Sequence, residues 1–352
     1  MRRPRQITIR DVAAAAGVSH QTVSRVLNDR PDVAGETRSR VWRIIEELNY
    51  RPNAIARSLI HQRSLTLGLV IAGLQYAGPS RTLSGIAHQA ECLGYTLLFK
   101  DLPDLDSNNV QPVLNSLLAR QVDGILWAVP EVGQNRQWLQ NQLHALPVPV
   151  VFLTMEARSG LSVVAVDNYT GGCVATMHLL EQGYRCIGHI AGPLDWWEAR
   201  QRKAGWEDAL AAAGISVADR HWDAGDWSSA SGSEAIRRLL KQHPEMQSIF
   251  VGNDQMALGV LQVACQEGIR VPYDLAVVGF DGLPEAAHYW PPLTTVDQGQ
   301  EELGSVAVQT LVGIVKARRQ DNPPQPTAIQ LQPRLVVRES SLRVPAGGGS
   351  CG

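Results

Sequence analysis

From residue 65 onward, short apolar runs of strand length alternate with stretches of helical pattern, and this alternation is the feature that most constrains the fold. It is typical of parallel sheets covered by helices, because each parallel strand must be joined to the next by a crossover connection. The helical stretches include Thr170–Gln182, Glu198–Ala213 and Asp254–Glu267. The predicted strands are Thr66–Ile71, Thr96–Lys100, Gly124–Trp127, Val150–Leu153, Cys186–Ile190, Ser248–Val251 and Ala276–Phe280.

The number of strands indicates two sheets rather than one. There are about twice as many strands as a single doubly wound sheet requires, and Val163–Asp167 has the pattern of a crossing point between two halves. We therefore predict an α/β fold in which two similar, doubly wound parallel-sheet subdomains face each other across a cleft. In sheets of this kind, ligands bind beyond the carboxyl ends of the strands.

The first 64 residues differ from this body in charge. They contain 12 arginines against 6 acidic residues, a formal charge of +6, whereas the whole chain carries −2 and the remainder therefore carries −8. A small basic segment attached to an acidic body indicates that only the segment meets a polyanion.

The basic segment has the pattern of a helix-turn-helix. Thr8 can cap a first helix, Gly17 can supply the left-handed turn that ends it, and Ser19 can cap a second helix over His20–Asn28. A third helix is predicted over about Thr37–Leu48. The apolar or small residues expected at the joints of the three helices are Ala13, Gly17, Val18, Val23, Val26, Val41, Ile44, Ile45 and Leu48.

The other face of the second helix is polar, and its side chains can hydrogen-bond to base edges and phosphates. Arginine favours guanine there, whereas glutamine and asparagine favour adenine. These side chains are His20, Gln21, Thr22, Ser24, Arg25 and Asn28. The alternative is an ordinary polar helical hairpin, since polar helix faces are common.

Two runs in this segment resemble the headpiece and hinge of the lactose/galactose repressor family of transcription regulators. They are 11–28 and 48–59, and the similarity continues through the body to about Arg338. The resemblance implies a headpiece in the major groove, with operator choice influenced at His20. It also implies a short hinge helix, capped by Asn53 and running to about Ile60, that folds on operator DNA and wedges Leu59 into the minor groove. For the hinge, a flexible linker with an incidental leucine is the alternative.

The DNA contacts predicted in this way come from both the headpiece and the hinge. They are Ile9, Arg10, Ser19, His20, Gln21, Thr22, Ser24, Arg25, Asn28, Thr37, Asn53, Ala56, Arg57 and Leu59. Because a headpiece of this size reads only a half-site, we expect a homodimer on an approximately palindromic, double-stranded operator.

The resemblance also implies the domain organisation, with a core like that of periplasmic binding proteins in which the chain crosses three times between subdomains. The predicted parts are a headpiece (1–51), a hinge and linker (52–64), a core (65–340) and a flexible tail (341–352). Within the core, the first subdomain is expected at about 65–166 and 298–325, and the second at about 167–297 and 326–340. The tail has no heptads and no counterpart of a tetramerising helix.

Polar and aromatic side chains follow the predicted strands, where the cleft is expected. Aromatic faces cover the C–H surfaces of sugar rings, and paired polar groups bind their hydroxyls. The resemblance implies that Arg202, Trp227, Asn253, Asp281 and Gln298 contact an effector. With the residues that follow nearby strands, the predicted effector-binding set is Tyr76, Pro79, Trp196, Arg202, Trp227, Asn253, Asp281 and Gln298.

This set predicts a mono- or oligosaccharide inducer that releases the protein from the operator of a carbohydrate-utilisation operon. Plain core packing is the alternative for Trp227, helix capping is the alternative for Asn253, and Asp254 is expected to be a structural cap. The family's lactose-responsive member carries an asparagine and an aspartate where this chain has Ala128 and Thr154. The loss of two sugar-facing polar groups argues against lactose or allolactose.

Other classes of function fit the sequence less well. It contains no G-x-G-x-x-G after a strand, no Walker loop, no G-x-S-x-G and no metal-ligand cluster, so we expect no enzyme, no cofactor and no metal. A transport receptor would share the core fold but not the basic segment. A nucleobase corepressor, which would strengthen operator binding, stays open as an alternative.

The remaining features concern the compartment. The apolar runs are far shorter than a membrane span, and Met1–Arg5 leads into no apolar segment, so we expect a cytoplasmic protein that does not bind membranes. Five scattered cysteines without a C-x-x-C pair are expected to be buried, reduced thiols.

Overall fold

The computed structural model describes residues 7–27, 30–50, 64–102, 110–132, 146–218, 221–322 and 324–343. The chain divides into two compact units, Met1–Ser64 and Leu65–Gly352. Some of the predicted DNA contacts lie outside the described residues, namely Asn28, Asn53, Ala56, Arg57 and Leu59.

The first unit contains three helices, α1 (Ile9–Ala16), α2 (His20–Leu27) and α3 (Gly35–Glu47). Thr8 and Asp11 form a capping box before α1: the Thr8 amide donates to Asp11 Oδ2 at 2.8 Å, and the Asp11 amide donates to Thr8 Oγ1 at 3.4 Å. After α1, Gly17 has φ 65°, a left-handed conformation that costs glycine little. The predicted cap, turn and helix-turn-helix are confirmed.

A small apolar core holds these three helices together. Its buried members are Val12, Ala13, Ala16, Val23, Val26, Val41 and Ile45. Val18, Ile44 and Leu48, which the sequence placed at the same joints, pack against its edge. Burial of each valine or isoleucine stabilises the folded unit by roughly 1.5–3 kcal/mol. The stability of this unit therefore depends on few side chains.

The second unit alternates strands and helices. In chain order they are β1 (Thr66–Ala72), α4 (Ala77–Cys92), β2 (Thr96–Leu102), α5 (Val110–Leu118), β3 (Gly124–Ala128), β4 (Val150–Leu153), β5 (Ser162–Val166), α6 (Asn168–Glu181), β6 (Ile187–Ala191), α7 (Trp197–Ala212), β7 (Trp222–Ala224), α8 (Ser229–Gln242), β8 (Ser248–Val251), α9 (Asp254–Gln266), β9 (Ala276–Asp281), β10 (Thr294–Asp297), α10 (Gln300–Arg318), β11 (Ala328–Leu331) and β12 (Arg334–Val336).

These strands form two six-stranded sheets. The strand order is β11-β5-β4-β3-β1-β2 in the first sheet and β12-β10-β9-β8-β6-β7 in the second. Neighbouring strands are parallel, except that β12 runs antiparallel to β10. The chain leaves the first sheet after β5, returns after β10, and crosses again between β11 and β12. The predicted pair of parallel sheets is confirmed.

One predicted subdomain boundary differs from the structure. The sequence assigned residues 326–340 to the second subdomain, but Ala328–Leu331 pairs with β5 of the first sheet, so the boundary falls after Leu331 rather than at residue 325. Residues along this strand alternate between exposed and half-buried, so it lacks the apolar run that would have marked it as a strand.

Helices cover both faces of each sheet and fix the positions of the strand ends. In the first subdomain, Leu303, Ala307 and Leu311 of α10 are buried in the same apolar cluster as Leu67 and Leu126. The return of the chain through α10 therefore completes the first subdomain.

Candidate effector-binding cleft

A cavity lies between the two sheets, at the carboxyl ends of their strands. The empty space between its lining residues, counted together with open solvent at its mouth, is about 810 Å³. All eight side chains of the predicted effector-binding set line it, namely Tyr76, Pro79, Trp196, Arg202, Trp227, Asn253, Asp281 and Gln298. Residues more than 200 positions apart in the sequence thus meet at one site.

Arg202 is the buried cation of the cavity wall and is 5% exposed. Its Nε donates to Asn168 Oδ1 at 2.8 Å, and one Nη donates to the Gly252 carbonyl at 2.6 Å and lies 3.5 Å from Asp281 Oδ1. The guanidinium carbon lies 3.9 Å from the centroid of the Phe280 ring, a cation–π contact. Burial lowers the pKa of Arg202, and the neighbouring Asp281 opposes this.

Asp281 is the acid that faces this cation. Burial raises the pKa of Asp281 to about 6, although Arg202 and a hydrogen bond from Gln298 act in the opposite direction. Both donors reach the same oxygen, Oδ1. The backbone φ of Asp281 is 115°, a strained value that costs about 1–3 kcal/mol. Strain of this kind is typical of functional sites.

Three aromatic side chains form a continuous part of the wall. The ring centroids of Tyr76 and Trp196 are 6.0 Å apart, and those of Trp196 and Trp227 are 5.9 Å apart, both pairs edge to face. Trp227 also belongs to the apolar core of the second subdomain, so it both packs and lines the cavity. Its indole lies against Gly192, where a Cβ would overlap the ring.

Asn253 and Asp254 hold the wall together at the start of α9. Asn253 Oδ1 accepts from the Met256 amide at 2.8 Å, and its Nδ2 donates to the Trp227 carbonyl at 3.0 Å, so the protein already occupies both of its polar groups. Asp254 accepts from the Leu283 amide at 2.8 Å and is not among the lining residues. Burial raises the pKa of Asp254 to about 8.

Six further polar residues line the cavity and were not in the predicted set: Thr82, Thr154, Asn168, Glu198, Gln255 and Gln300. Burial raises the pKa of Glu198 to about 7. Its position one residue after Trp197 could have signalled it, because Trp196 was selected from the same run. Asn168 could have been found only through its contact with Arg202. Thr82 and Gln300 join α4 to α10 through a 2.6 Å hydrogen bond.

The wall contributed by the first subdomain is mostly apolar. It includes Ile71, Ala72, Ala128 and Val166, all of them buried. Ala128 and Thr154, the two departures noted in the sequence, both line the cavity. Thr154 has φ 58°, a left-handed conformation uncommon for a β-branched residue.

In the first unit, the polar face of α2 is accessible. His20, Gln21 and Arg25 are exposed, whereas Val23 and Val26 on the opposite face are buried. Ser19 caps the helix, since its Oγ accepts from the Thr22 amide at 3.0 Å. Arg25 lies 3.4 Å from Asp32, and both side chains are more than half exposed, so this ion pair is weak. Ile9, Arg10, Ser24 and Thr37 are all at least partly exposed.

Three other expectations from the sequence concern cysteines, metals and membranes. The described cysteines are free, but the expectation that they are buried is wrong: Cys92 and Cys265 are exposed, and Cys173 and Cys186 are half-buried. Among the described residues, no group of three or more His, Cys, Asp or Glu side chains could hold a metal ion. In the same part of the chain, no helix combines the length and apolar character needed to span a bilayer.

A basic helix-turn-helix joined to a two-subdomain ligand-binding core defines a ligand-responsive DNA-binding regulator. Residues 8–53 match the model of bacterial regulatory proteins of the lacI family, and residues 176–341 match the periplasmic binding protein-like domain. The chain belongs to the lacI family, which confirms the resemblance. It is 34% identical to the ribose operon repressor of Escherichia coli K12 over 339 residues, and the match covers 95% of this chain and 99% of that protein.

Other relatives are similarly close. The HTH-type transcriptional repressor PurR of Klebsiella pneumoniae strain 342 is 33% identical, with 95% of this chain and 96% of that protein covered. The lac repressor dimer bound to operator and the anti-inducer ONPF has a TM-score of 0.85 and 31% identity, covering 96% of this chain and 100% of that one. A complex of the transcriptional regulator CelR with cellobiose has a TM-score of 0.70 and 32% identity, covering 95% of this chain and 100% of that one.

Proposed function

We propose that this protein is a transcriptional repressor that binds a palindromic operator as a homodimer and is released from it by a sugar inducer in the cleft. The observation that carries the proposal is the convergence of the eight predicted effector-binding side chains on one cavity. Aromatic rings beside a paired Arg202 and Asp281 offer the mixture of apolar and polar surface that sugar rings require. The regulated genes would then belong to a carbohydrate-utilisation operon.

DNA recognition is assigned to the polar face of α2. Gln21 and Arg25 are exposed on it and can form bidentate hydrogen bonds to adenine and guanine. Of the other predicted contacts, His20 is proposed to influence operator choice and Leu59 to wedge into the minor groove. The further polar side chains of the second helix are proposed to contact the major groove or its phosphates. A domain of this size reads one half-site, which supports a dimer on a palindromic sequence.

The switch is assigned to the angle between the two subdomains. Tyr76 and Pro79 belong to the first subdomain, whereas Arg202, Trp227 and Asp281 belong to the second. A ligand that contacts both halves shifts their equilibrium only by its differential affinity for the two arrangements. The chain enters the first subdomain from the linker at 52–64, so a change of angle is passed to the hinge.

A nucleobase corepressor is the second candidate. The observation that favours it is the row of Tyr76, Trp196 and Trp227, which provides edges and faces on which a base can stack. The PurR relatives at 33% identity are consistent with this candidate. The two candidates predict opposite effects of the ligand on operator binding, because an inducer weakens it and a corepressor strengthens it.

The experiment is a screen of sugars and purines by tryptophan fluorescence, followed by operator binding in the presence of each ligand that binds. We expect a sugar to change the fluorescence of the cleft tryptophans and to weaken operator binding. A purine that strengthens operator binding would establish the corepressor instead. If selection from a random pool of DNA enriches no palindromic fragment, the assignment of this protein as a repressor would be overturned.

A further inference from the structure

Three side chains that line the cleft carry a buried polar atom without a hydrogen-bond partner among the described residues. These atoms are Glu198 Oε2, Thr154 Oγ1 and Trp227 Nε1. Buried polar atoms in folded proteins are nearly always paired, because leaving them unpaired forfeits their hydration without compensation. Each of these three residues lines the same cavity, where a ligand can supply the missing partner.

The three atoms come from both walls. Glu198 is 8% exposed and lies in the first turn of α7, and Trp227 is 6% exposed and follows β7, both in the second subdomain. Thr154 directly follows β4 of the first subdomain. Thr154 and Trp227 also have left-handed backbones, with φ 58° and 74°. A ligand that reaches all three atoms bridges the two subdomains.

The chemistry of the atoms restricts the ligand. A carboxylate oxygen only accepts, an indole N–H only donates, and a threonine hydroxyl does either. Within the cavity lining, Arg202 faces Asp281 at 3.5 Å, whereas no described salt bridge includes Glu198. The lining thus holds two acids, Glu198 and Asp281, and one cation, Arg202, so an anionic ligand would meet an excess of acidic groups. Hydroxyl groups both donate and accept, so a polyol can satisfy all three atoms.

We infer that Glu198 and Thr154 determine the specificity of the site, and that the effector is a neutral polyol with a hydroxyl that donates to the ionised Glu198 carboxylate. This inference rests on the proposed function and deepens it, since it names the charge class of the effector and two residues absent from the predicted set. Trp227 supplies the complementary donor, and Thr154 completes the contact from the opposite wall.

The inference predicts a proton linkage at Glu198. Arg200 and Arg202, on the same helix, lower the pKa of Glu198, and Glu131, from the loop after β3, raises it, while burial dominates and brings it to about 7. Tyr76 and Asp281 are the other titratable residues of the lining. A hydrogen bond donated by the ligand favours the ionised form and so lowers the pKa in the complex. Ligand affinity is then constant above about pH 7 and falls by up to about tenfold per unit below it.

The test is calorimetric titration of the full-length protein between pH 5.5 and 8.5. The neutral probes are cellobiose, D-ribose and D-glucose; the charged probes are D-gluconate and D-glucosamine; and adenine and guanine are included. Glu198→Gln removes the charge and keeps the shape. Thr154→Val removes the hydroxyl and keeps the β-branch at the same φ. Glu207→Gln is the matched control, because Glu207 lies on the same helix and pairs with Lys203 instead.

We expect a neutral sugar to bind the wild type with affinity that falls below pH 7. Glu198→Gln should weaken binding at pH 8 by about tenfold or more and flatten the pH profile, while titration of Asp281 is common to both proteins and cancels in the difference. Thr154→Val should weaken binding less, and Glu207→Gln should change nothing.

The inference is overturned if no neutral sugar binds, if D-gluconate binds with affinity that rises at low pH, if D-glucosamine binds more tightly than D-glucose, or if Glu198→Gln leaves the pH profile intact. In the last case sugar binding itself would persist, so the proposed function would stand while the role of Glu198 would fall. Circular dichroism of each variant separates loss of binding from loss of fold.

Discussion

The two subdomains of the core share one scaffold and differ in the chemistry that they present to the cleft. Their sheets have corresponding strand orders, β5-β4-β3-β1-β2 in the first and β10-β9-β8-β6-β7 in the second. The second wall presents Asn168, Glu198, Arg202 and Asp281, whereas the first presents mainly Ile71, Ala72, Ala128 and Val166.

This difference shows that one scaffold can present two kinds of chemistry. The strand order is the same in both subdomains, whereas the side chains near the strand ends decide what each wall presents to the cleft. The second wall offers directional hydrogen bonds, and the first offers an apolar surface that excludes water. We expect the second wall to supply most of the ligand affinity. The first wall should contact the ligand once the angle between the two subdomains changes to close the cleft.

The largest expected effect comes from removing the cation of the second wall. Arg202→Ala leaves Asp281 buried without its partner, so we expect the free energy of unfolding to fall by about 3–5 kcal/mol and sugar binding to be lost. Urea denaturation and calorimetry measure the two effects. Arg200→Ala is the control on the same helix, since the Arg200 side chain donates to the Leu194 and Asp195 carbonyls of the preceding loop. Normal sugar binding by Arg202→Ala would move the site away from this wall.

The contrast between the walls also explains how much of the site could be predicted from the sequence. Fully buried strands such as β3 and β8 are mostly apolar runs in the sequence, so these strands and the side chains that follow them could be predicted. The short strands β7, β11 and β12 are half exposed and gave no such run. Asn168 was missed because its role arises from its contact with Arg202, which spacing along the chain does not reveal. Glu198 was missed although its position directly after Trp197 could have signalled it.

A smaller effect is expected from crowding the aromatic part of the second wall. The Cβ introduced by Gly192→Ala would overlap the Trp227 indole, so the ring must shift. Overpacking of this kind costs about 1–3 kcal/mol, and sugar binding should weaken with it. Gly313→Ala is the matched control, because nothing lies within 4 Å of that position in α10. Equal behaviour of the two variants in thermal unfolding and calorimetry would show that Trp227 adapts freely.

The buried acid behind the second wall predicts a dependence of stability on pH. Because the pKa of Asp254 is raised from 3.8 to about 8 in the folded protein, the folded state binds its proton more tightly than the unfolded state does. The contribution of Asp254 to the free energy of unfolding is fully present below about pH 4 and is lost as the pH rises towards 8. Asp254→Asn should reduce the slope of the free energy of unfolding against pH, by at most about 1.4 kcal/mol per pH unit. Urea titrations of both proteins at pH 5, 6, 7 and 8 measure it, and parallel curves would contradict it.

The smallest effect is expected on the first wall. Tyr76→Leu keeps an apolar side chain but removes the edge-to-face contact with Trp196 at 6.0 Å, so sugar binding should weaken by about 0.5–1.5 kcal/mol. Calorimetry with the same sugar, in parallel with Arg202→Ala, compares the two walls directly. A loss as large as that of Arg202→Ala would show that affinity is shared equally between the subdomains.

The central claim is that one cleft ligand and one operator bias the same equilibrium between subdomain arrangements. The most direct measurement is the dissociation constant of the sugar for the free protein and for the operator-bound protein, together with that of the operator with and without saturating sugar. Linkage requires both ratios to be equal, and the coupling should be about 1–3 kcal/mol. For wild type we predict equal ratios, with the sugar bound more weakly on DNA. Sugar binding that is unchanged by operator DNA would contradict the claim.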